Sequence, residues 1–342
     1  MSDLNDKQRA AVPAVRLWLL ATAVLIFCMV IVGGATRLTD SGLSITEWKP
    51  LLGAIPPLTE ADWQAALEKY RQIPEYQLIN KGMSLDEFKF IYWWEWAHRF
   101  LGRIIGVVFF LPFAVFALTG RLSRATAWRC GVVFILGGLQ GALGWYMVSS
   151  GLVDRVDVSQ YRLSAHLTLA TVIYAAILWI AFGLGGRRHR PQGAANWWAI
   201  ALTALVLLQV AAGGFVAGLD AGMGYNTWPL MDGALVPRGL MVMEPAWRNI
   251  FENAMTVQFN HRMLAYVIVA AVAAYAWRQR TAASGLLLAA VLLQVALGIA
   301  TLLAQVPLSL GLIHQGGALL VLAAALWNLH EQLRQSPEPD RR

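Results

Sequence analysis

Residues 15–36 read VRLWLLATAVLIFCMVIVGGAT, and this stretch decides the fold class because Arg16 is its only charged residue. A bilayer core about 30 Å thick requires roughly 20 apolar helical residues, since lipid cannot hydrogen-bond to an exposed backbone. The stretch is therefore predicted to cross a membrane as a helix. It is too long for a cleaved signal peptide, and Gly33, Gly34 and Ala35 lead directly into a structured loop.

The composition of the whole chain agrees with this prediction. Of its 342 residues, 58% are hydrophobic and 14% are charged, against about 25% charged in soluble proteins. Long apolar runs with 15 Trp exclude a disordered chain and a disulfide scaffold, and despite the net charge of +7 no nucleic-acid partner is expected. The sequence predicts an all-α integral membrane protein that lies in the lipid bilayer. Its eight predicted spans are 15–36, 92–118, 128–150, 163–184, 197–217, 254–277, 284–305 and 310–330.

The basic residues predict the orientation of the spans. Lys and Arg accumulate on the cytoplasmic side of membrane proteins, and here they cluster at both ends of the chain and in alternate loops. The clusters are Lys7, Arg9 and Arg16; Arg121, Arg124 and Arg129; Arg187, Arg188 and Arg190; Arg278 and Arg280; and Arg334, Arg341 and Arg342. Both termini are therefore expected to be cytoplasmic, with the long loop 37–91 on the outer side.

Within the long loop, Thr59 and Asp62 form a helix-capping pattern, and Trp63, Leu67 and Tyr70 recur at helical spacing. This pattern predicts a helix that lies on the membrane interface. Ser84 with Glu87 predicts the start of the next span. Two cysteines, Cys28 and Cys130, lie at different depths, so they are expected to be unpaired and buried as small apolar residues.

The chain also repeats itself. Gly33 and Gly34 recur in the second half as Gly213 and Gly214, and Trp48 recurs at the same offset as Trp228. Further matches are Asp40 with Asp220, Gly42 with Gly222, Gly53 with Gly233, Pro57 with Pro237, His98-Arg99 with His261-Arg262, Gln140 with Gln294, and His166 with His314. Two four-helix bundles in the same orientation, related as parallel repeats by an axis along the membrane normal, are therefore expected.

The repeat sets the predicted domain boundaries. A cytoplasmic N-terminal tail at 1–14 precedes an N-terminal bundle at 15–184, and a cytoplasmic linker at 185–196 leads to a C-terminal bundle at 197–330. Residues 331–342 form a cytoplasmic tail.

Four of the six histidines fall at one predicted depth, near the outer ends of the second, fourth, sixth and eighth spans. They are His98, His166, His261 and His314. A single histidine on an apolar helix face is usually a packing residue, but four at one depth, two in each repeat, indicate ligands. Imidazole suits zinc, copper, non-haem iron or haem. Because no trio of carboxylates or thiolates lies nearby in the sequence, tetrahedral zinc is disfavoured and bis-histidine haem in each bundle is favoured. The remaining two, His189 and His330, are expected in solvated flanks.

The two halves differ beside these histidines. Glu95 stands three residues before His98, where the second half has Gln258 before His261. Residues three apart share a helix face, so a carboxyl at this position could act as a general acid or base. The alternative is a structural ion pair with Arg99 or Arg103. If this carboxyl group takes part in the reaction, the first half contains the reacting site and the second half contains a permanent redox centre.

Three motifs carry a resemblance to a known family. They are GGATRLTDSGLSITEWKP at 33–50, WEWAHRFLGR at 94–103 and GMGYNTWPLMDG at 222–233. With them, the chain resembles the haem A synthase family, in its alphaproteobacterial and mitochondrial-like branch, over about residues 15–330. The resemblance implies oxidation of the C8 methyl group of haem O to the formyl group of haem A, in the inner membrane of a bacterium with the haem sites toward the periplasm.

The resemblance also implies residue roles. His98 and His166 would hold the substrate haem, Glu95 would be the catalytic carboxylate, and His261 and His314 would ligate a haem b cofactor. Candidate ligands of the haem propionates are Arg37, Arg99, Arg103 and Arg262, for which the alternative is snorkelling to lipid headgroups. Implied partners are haem O synthase and cytochrome oxidase assembly factors, and a homo-oligomer is left open. Some family members carry cysteine pairs in their outer loops, and this chain has none there.

Two rival functions account for part of the pattern. A dihaem b-type electron-transfer protein would explain four histidines, but it would not explain Glu95, and it would usually place its haems in both leaflets. A transporter would suit parallel repeats, but its charges would not cluster near one face. The enzyme is therefore the favoured prediction.

Overall fold

The structure is a computed structural model that describes residues 4–49, 52–154, 156–186 and 193–335. Within these ranges the chain is all-helical, with eight helices long and apolar enough to cross a membrane. These helices are α1 (Asp6–Leu38), α4 (Leu85–Leu118), α5 (Arg124–Asp154), α6 (Gln160–Gly183), α7 (Gly193–Gly218), α10 (Ala254–Gln279), α11 (Ala282–Leu303) and α12 (Leu308–Gln335). All eight predicted spans are confirmed, and most helices extend beyond them by one or two turns.

Local sequence signals fix where several of these helices begin. Asn5 caps α1, Ser84 caps α4 and Thr281 caps α11, each through a side-chain oxygen that accepts a hydrogen bond from the third residue of the helix. The Ser84 cap with Glu87 is the one that the sequence predicts. Caps of this kind satisfy backbone N–H groups that the first helical turn cannot pair.

Four helices form the centre of the molecule. Helix α1 contacts α4, α6 and α12, while α7 contacts α6, α10 and α12. The large buried cluster draws on all four central helices, α1, α6, α7 and α12, with Leu19, Ile177, Leu202 and Leu322 among its members. Helices α4, α5 and α11 lie farther out and bury a smaller share of their most apolar segments. The four predicted ligand histidines lie on α4, α6, α10 and α12, so each pair has one central helix.

The described parts of the connection between α1 and α4 fold into a compact unit, which we name the cap (residues 39–49 and 52–84). It contains α2 (Glu60–Tyr70) and α3 (Pro74–Leu78). Thr59 caps α2 in a reciprocal pair with Asp62, as predicted. The apolar face of α2, however, is buried against the start of α4 in a cluster that includes Tyr70 and Phe88. The prediction that this face lies on the membrane interface is therefore wrong, because the protein itself covers it.

Two further predictions need correction. Cys28 is exposed on α1, whereas Cys130 is buried as expected, and both are unpaired. His330 is not in a solvated flank: its side chain is buried, and it packs against Trp179, Phe182 and Trp327. Three aromatic rings from α6 and α12 create this environment, which the neighbouring charged residues in the sequence do not indicate.

Several predicted residues lie outside the described ranges. They are His189, Arg187, Arg188, Arg190, Arg341 and Arg342. The remaining short elements link the spans: α8 (Ala221–Gly224) and α9 (Asn249–Glu252) lie between α7 and α10, and short 3₁₀ turns occur at Leu52–Ala54 and Ala246–Arg248.

Close contact between α6 and α7 depends on glycine. A Cβ atom added to Gly214 would lie 2.8 Å from Cα of Ser164, and one added to Gly218 would lie 2.6 Å from Cα of Gln160. Small residues let membrane helices approach this closely.

We expect Gly214→Ala to force the helices apart and to lower the free energy of unfolding by about 1–3 kcal/mol, as overpacking does. Denaturant titration in detergent measures this change.

Gly137 on α5 provides the matched control. A Cβ atom there meets nothing within 4 Å, so Gly137→Ala is expected to leave stability unchanged or to raise it through helix propensity. Equal stability of Gly214→Ala and the wild type would contradict the packing described for α6 and α7.

Candidate functional site

The first predicted histidine pair comes together between α4 and α6. The ring centroids of His98 and His166 are 6.5 Å apart, with an angle of 65° between the ring planes. With metal–nitrogen bonds of about 2 Å and ring centres about 1 Å behind the nitrogens, two imidazoles on opposite sides of one metal have centroids about 6 Å apart. The separation of His98 and His166 therefore fits a single metal between the two rings.

The second predicted pair is His261 on α10 and His314 on α12, and each ring has a glutamine amide of a neighbouring helix beside it. Within the part of the chain that the structure describes, no group of three or more His, Cys, Asp or Glu side chains could hold a metal ion.

A glycine faces each of the four rings. An added Cβ atom would lie 3.1 Å from Nε2 of His98 at Gly33, 2.9 Å from Cε1 of His166 at Gly144, 3.3 Å from Cε1 of His261 at Gly213, and 2.8 Å from Cε1 of His314 at Gly298. A larger residue at these positions would meet an imidazole. The glycines that mark the repeat in the sequence thus lie where neighbouring helices approach the histidines.

Three of the four histidines have a glutamine partner. In each case a glutamine on the neighbouring helix places its Nε2 atom beside the imidazole and donates a hydrogen bond to the carbonyl oxygen of the histidine. The pairs, with the Nε2-to-carbonyl distances, are Gln140 and His166 at 3.0 Å, Gln209 and His261 at 3.1 Å, and Gln294 and His314 at 2.7 Å. The Nε2 atoms lie 3.1 to 3.3 Å from ring nitrogens.

The surroundings of each glutamine amide show whether the site fits an imidazole that is bound to a metal. Oε1 of Gln140, Gln209 and Gln294 is buried and has no hydrogen-bond partner. An imidazole bound to iron through one nitrogen carries an N–H group on the other, and that N–H group requires an acceptor. In all three pairs the Nε2 donor binds the backbone carbonyl oxygen of the histidine and also lies against the ring, so the amide holds the ring in its orientation. Together with the 6.5 Å separation of His98 and His166, these contacts fit histidines that ligate a haem iron, and the ligand assignments stay predictions.

Glu95 is buried and fully hydrogen-bonded. Its Oε1 atom accepts from a guanidinium nitrogen of Arg99 at 2.5 Å, and Oε2 accepts from the Ser44 hydroxyl at 2.8 Å and from the backbone N–H of Ile45 at 2.6 Å. Around the helix axis, at about 100° per residue, Glu95 lies between His98 and Arg99. The structure thus contains the ion pair that the sequence offers as the alternative to a catalytic role, and it also holds the carboxylate beside the His98 face.

Arg99 additionally donates to two carbonyl oxygens of the cap, those of Ile45 and Glu47. The second half repeats this arrangement at the equivalent positions. Arg262 donates to the carbonyl oxygens of Tyr225 and Thr227 and to Oε1 of Gln258. Gln258 therefore occupies the place of Glu95, with an amide instead of a carboxylate.

Arg37 and Arg262, two of the arginines that the sequence assigns to propionates, each have an N–H group that makes no hydrogen bond within the chain. The Nε atoms of Arg37 and Arg262 are buried without a hydrogen-bond partner, so each could donate to an anionic oxygen. Arg103 donates to the carbonyl oxygen of Lys49 in the cap. The structure does not test the propionate assignments, which remain predictions.

Arg37 has a second role that the sequence analysis missed. Its guanidinium lies 2.9 Å from Asp40, 3.1 Å from Asp157 and 2.7 Å from Asp220. Asp220 follows α7, so this mostly buried arginine joins the start of the cap to the second half of the chain. No local signal indicates the contacts with Asp157 and Asp220, because both residues are distant from Arg37 in the sequence.

Glu75 is a second residue that the sequence analysis missed. It lies in the second position of α3 and is only 4% exposed, and its Oε2 atom has no hydrogen-bond partner. Burial, with smaller contributions from the charges of Glu95, Asp40 and Asp157, raises the pKa of Glu75 to about 8. The cap therefore contains a carboxyl group that takes up a proton near neutral pH and responds to the charge of Glu95.

Comparisons with known proteins agree on one family. The model of a family described as Cytochrome oxidase assembly protein matches residues 16–326. A Heme A synthase of Parvibaculum lavamentivorans is 53% identical, covering 95% of this chain and 96% of its own. A Heme A synthase of Azorhizobium caulinodans is 55% identical (94% and 95%), and one of Nitrosomonas eutropha is 48% identical (95% and 96%).

The pKa of Glu75 makes stability depend on pH. In the unfolded chain this carboxyl titrates near 4.5, and in the folded protein near 8. Between these values the folded state binds more protons, so stability falls as pH rises from about 5 to about 8. We expect Glu75→Gln to remove this part of the pH dependence, as measured by Tm in detergent across that range.

The control for this experiment is Glu68→Gln, which changes an exposed carboxylate on α2 that pairs with Arg71. Its pH dependence of Tm is expected to follow the wild type. A Glu75→Gln protein whose Tm falls with pH as steeply as that of the wild type would show that Glu75 does not titrate in this range.

Proposed function

The chain belongs to the cytochrome oxidase assembly protein family and acts in haem A synthesis, and we propose that its two halves divide this task. The N-terminal half holds haem O as substrate between His98 and His166, and the C-terminal half holds haem b between His261 and His314. The product is haem A, formed when the C8 methyl group of haem O becomes a formyl group. The observation that carries the proposal is the difference between Glu95 and Gln258 within otherwise matching surroundings.

The proposed architecture is a pair of parallel four-helix repeats, 15–184 and 197–330, in the bacterial inner membrane. Two hydrogen-bonding patterns support the repeat, because Arg99 and Arg262 bind carbonyl groups at equivalent positions of the two halves. The clusters of basic residues support cytoplasmic termini. With this orientation the cap and the four histidines face the periplasm.

Glu95 has the position that a proton-transferring group requires. The methyl group passes through an alcohol to a hydrated aldehyde, which loses water to give the formyl group. With water as the source of oxygen, each of the two oxidations releases two electrons, which an external electron acceptor takes up, and two protons, which a base must accept. The bonds from Arg99, Ser44 and Ile45 fix the carboxylate on the side of α4 next to His98. We assign Glu95 the role of accepting protons from the reacting carbon substituent. Gln258 cannot do this, since an amide has no comparable basicity.

The second half keeps the same fold without the reactive group. Haem b, once bound, supplies one-electron oxidation and reduction. The chain's contribution is to hold it: His261 and His314 each have a glutamine beside the ring, and Arg262 retains a buried Nε–H donor for a propionate. Arg37, Arg99 and Arg103 are the corresponding propionate candidates in the first half.

The partners follow from the chemistry of the substrate. Haem O carries a long apolar tail, so transfer through lipid or by direct contact is favoured over diffusion through water. We propose that haem O synthase delivers the substrate and that cytochrome oxidase assembly factors receive the product.

The catalytic assignment predicts the behaviour of Glu95→Gln. In membranes of cells that make haem O, wild-type protein should produce haem A, and Glu95→Gln should abolish haem A while haem O remains bound. Gln258 shows that an amide can occupy this environment and still accept from the neighbouring arginine, so the variant should fold. Haem extraction with mass analysis measures both haems.

Ser44→Ala is the matched control, because it removes one hydrogen bond from Glu95 but keeps the carboxylate. This variant should still produce haem A. Wild-type levels of haem A from Glu95→Gln would exclude a catalytic role and leave Glu95 as a structural anchor of the cap.

The ligand assignment predicts opposite effects for histidines of the two halves. His261→Ala should remove the haem b absorption spectrum from the purified protein, because one axial ligand of that haem is lost. His98→Ala should keep the haem b spectrum and lose bound haem O. Retention of haem b in His261→Ala, or its loss in both variants, would contradict the division of haems between the halves.

A further inference from the structure

His98 is the exception among the four histidines. His166, His261 and His314 each have a glutamine amide beside the ring. Across the residues that the structure describes, 4–49, 52–154, 156–186 and 193–335, no group hydrogen-bonds to the ring of His98. The first half therefore has one histidine with an amide partner, and the second half has two.

A single residue difference accounts for the exception. Gln209 on α7 pairs with His261, and the residue at the equivalent position of α1 is Met29. The two helices lie in the same register against their histidines, since Gly33 faces His98 as Gly213 faces His261. The two halves thus differ at this position by Met29 instead of Gln209, while the helix keeps the same register against its histidine.

The side chain of Met29 lies along α4 beyond His98. Its terminal Cε atom is 3.3 Å from the Cβ position of Gly102, which is one turn after His98. A thioether is a weak acceptor and has no donor, so Met29 cannot take the place of the amide. Met29 therefore stands at the position from which, in the second half, the amide of Gln209 reaches His261.

The amide changes the strength of a metal-ligating imidazole. When the second ring N–H donates to an acceptor, the imidazole becomes more basic and its orientation is fixed, and loss of such a partner typically weakens metal binding by about 10- to 100-fold. Gln140, Gln209 and Gln294 fix the orientation of their rings, because each binds the carbonyl oxygen of its histidine and lies against the imidazole, and each is therefore such a partner. His98 lacks one.

We propose that Met29 makes His98 the releasable ligand of the substrate haem, whereas Gln209 and Gln294 lock the cofactor haem in place. This inference rests on the proposed function, since it assumes that haem occupies both pairs. A substrate must enter and leave as a product at every turnover, but a cofactor must stay. The exchange of Met for Gln at one position of the repeat provides this difference, and Met29 acts as a positioning residue through His98.

Reciprocal exchange of the two residues tests the inference. Purified protein in detergent, loaded with both haems, is mixed with excess apomyoglobin, and the loss of each haem is followed by absorbance. Gln209→Met should accelerate the loss of haem b by about 10- to 100-fold, because the ring of His261 is no longer held in its orientation. Met29→Gln should slow the loss of the N-terminal haem by a similar factor.

Gln315→Met is the matched control, because the amide of Gln315 donates to the carbonyl oxygen of Val30 and not to a histidine, so this variant should keep the slow loss of haem b. A bis-histidine absorption spectrum in each variant shows that the bundles have folded. Unchanged rates of haem loss in both exchange variants would overturn the inference and leave the proposed function intact. Absence of haem from the wild-type protein would instead overturn the proposed function itself.

Discussion

The structure depends on one constraint: a polar group that enters lipid must find its partner within the chain. The backbone meets this requirement by forming helices, and the polar side chains meet it by pairing close to the histidines. Glu95 is bonded to Arg99, and Arg262 is bonded to Gln258. These pairs also tie the loops that follow α1 and α7 to the helices that carry the histidines. Satisfying the buried polar groups and positioning the ligands are thus achieved by the same hydrogen bonds.

Much of the fold could be predicted from the sequence, because length and apolarity alone define a membrane span. The helix starts at Ser84 and in α2 were also predictable, since a cap involves residues only three apart. The interfacial position of α2 and the exposure of His330 were wrongly predicted. Both depend on neighbours that are distant in the sequence, and an amphipathic pattern does not reveal whether lipid, water or protein covers the apolar face.

In the candidate site, too, the sequence did not reveal contacts between residues that are distant along the chain. His98 and Glu95 were found because they occur at matching positions of a repeat, where a difference is visible. Gln209 was not found, although an amide in an apolar span is itself unusual, because its importance lies in the contact with His261 across two helices. The burial of Glu75 has no signal in the sequence at all. Repetition therefore reveals candidate ligands, while the residues that contact them become visible only in three dimensions.

Arg37 has a further consequence for the way the two halves join. It neutralises acidic residues from both halves, yet the equivalent position in the second half is Ala217. The cation at this junction thus comes from one half alone, while both halves supply carboxylates. Separating the halves would leave Asp220 without its partner, so the two repeats are not interchangeable at the point where they meet.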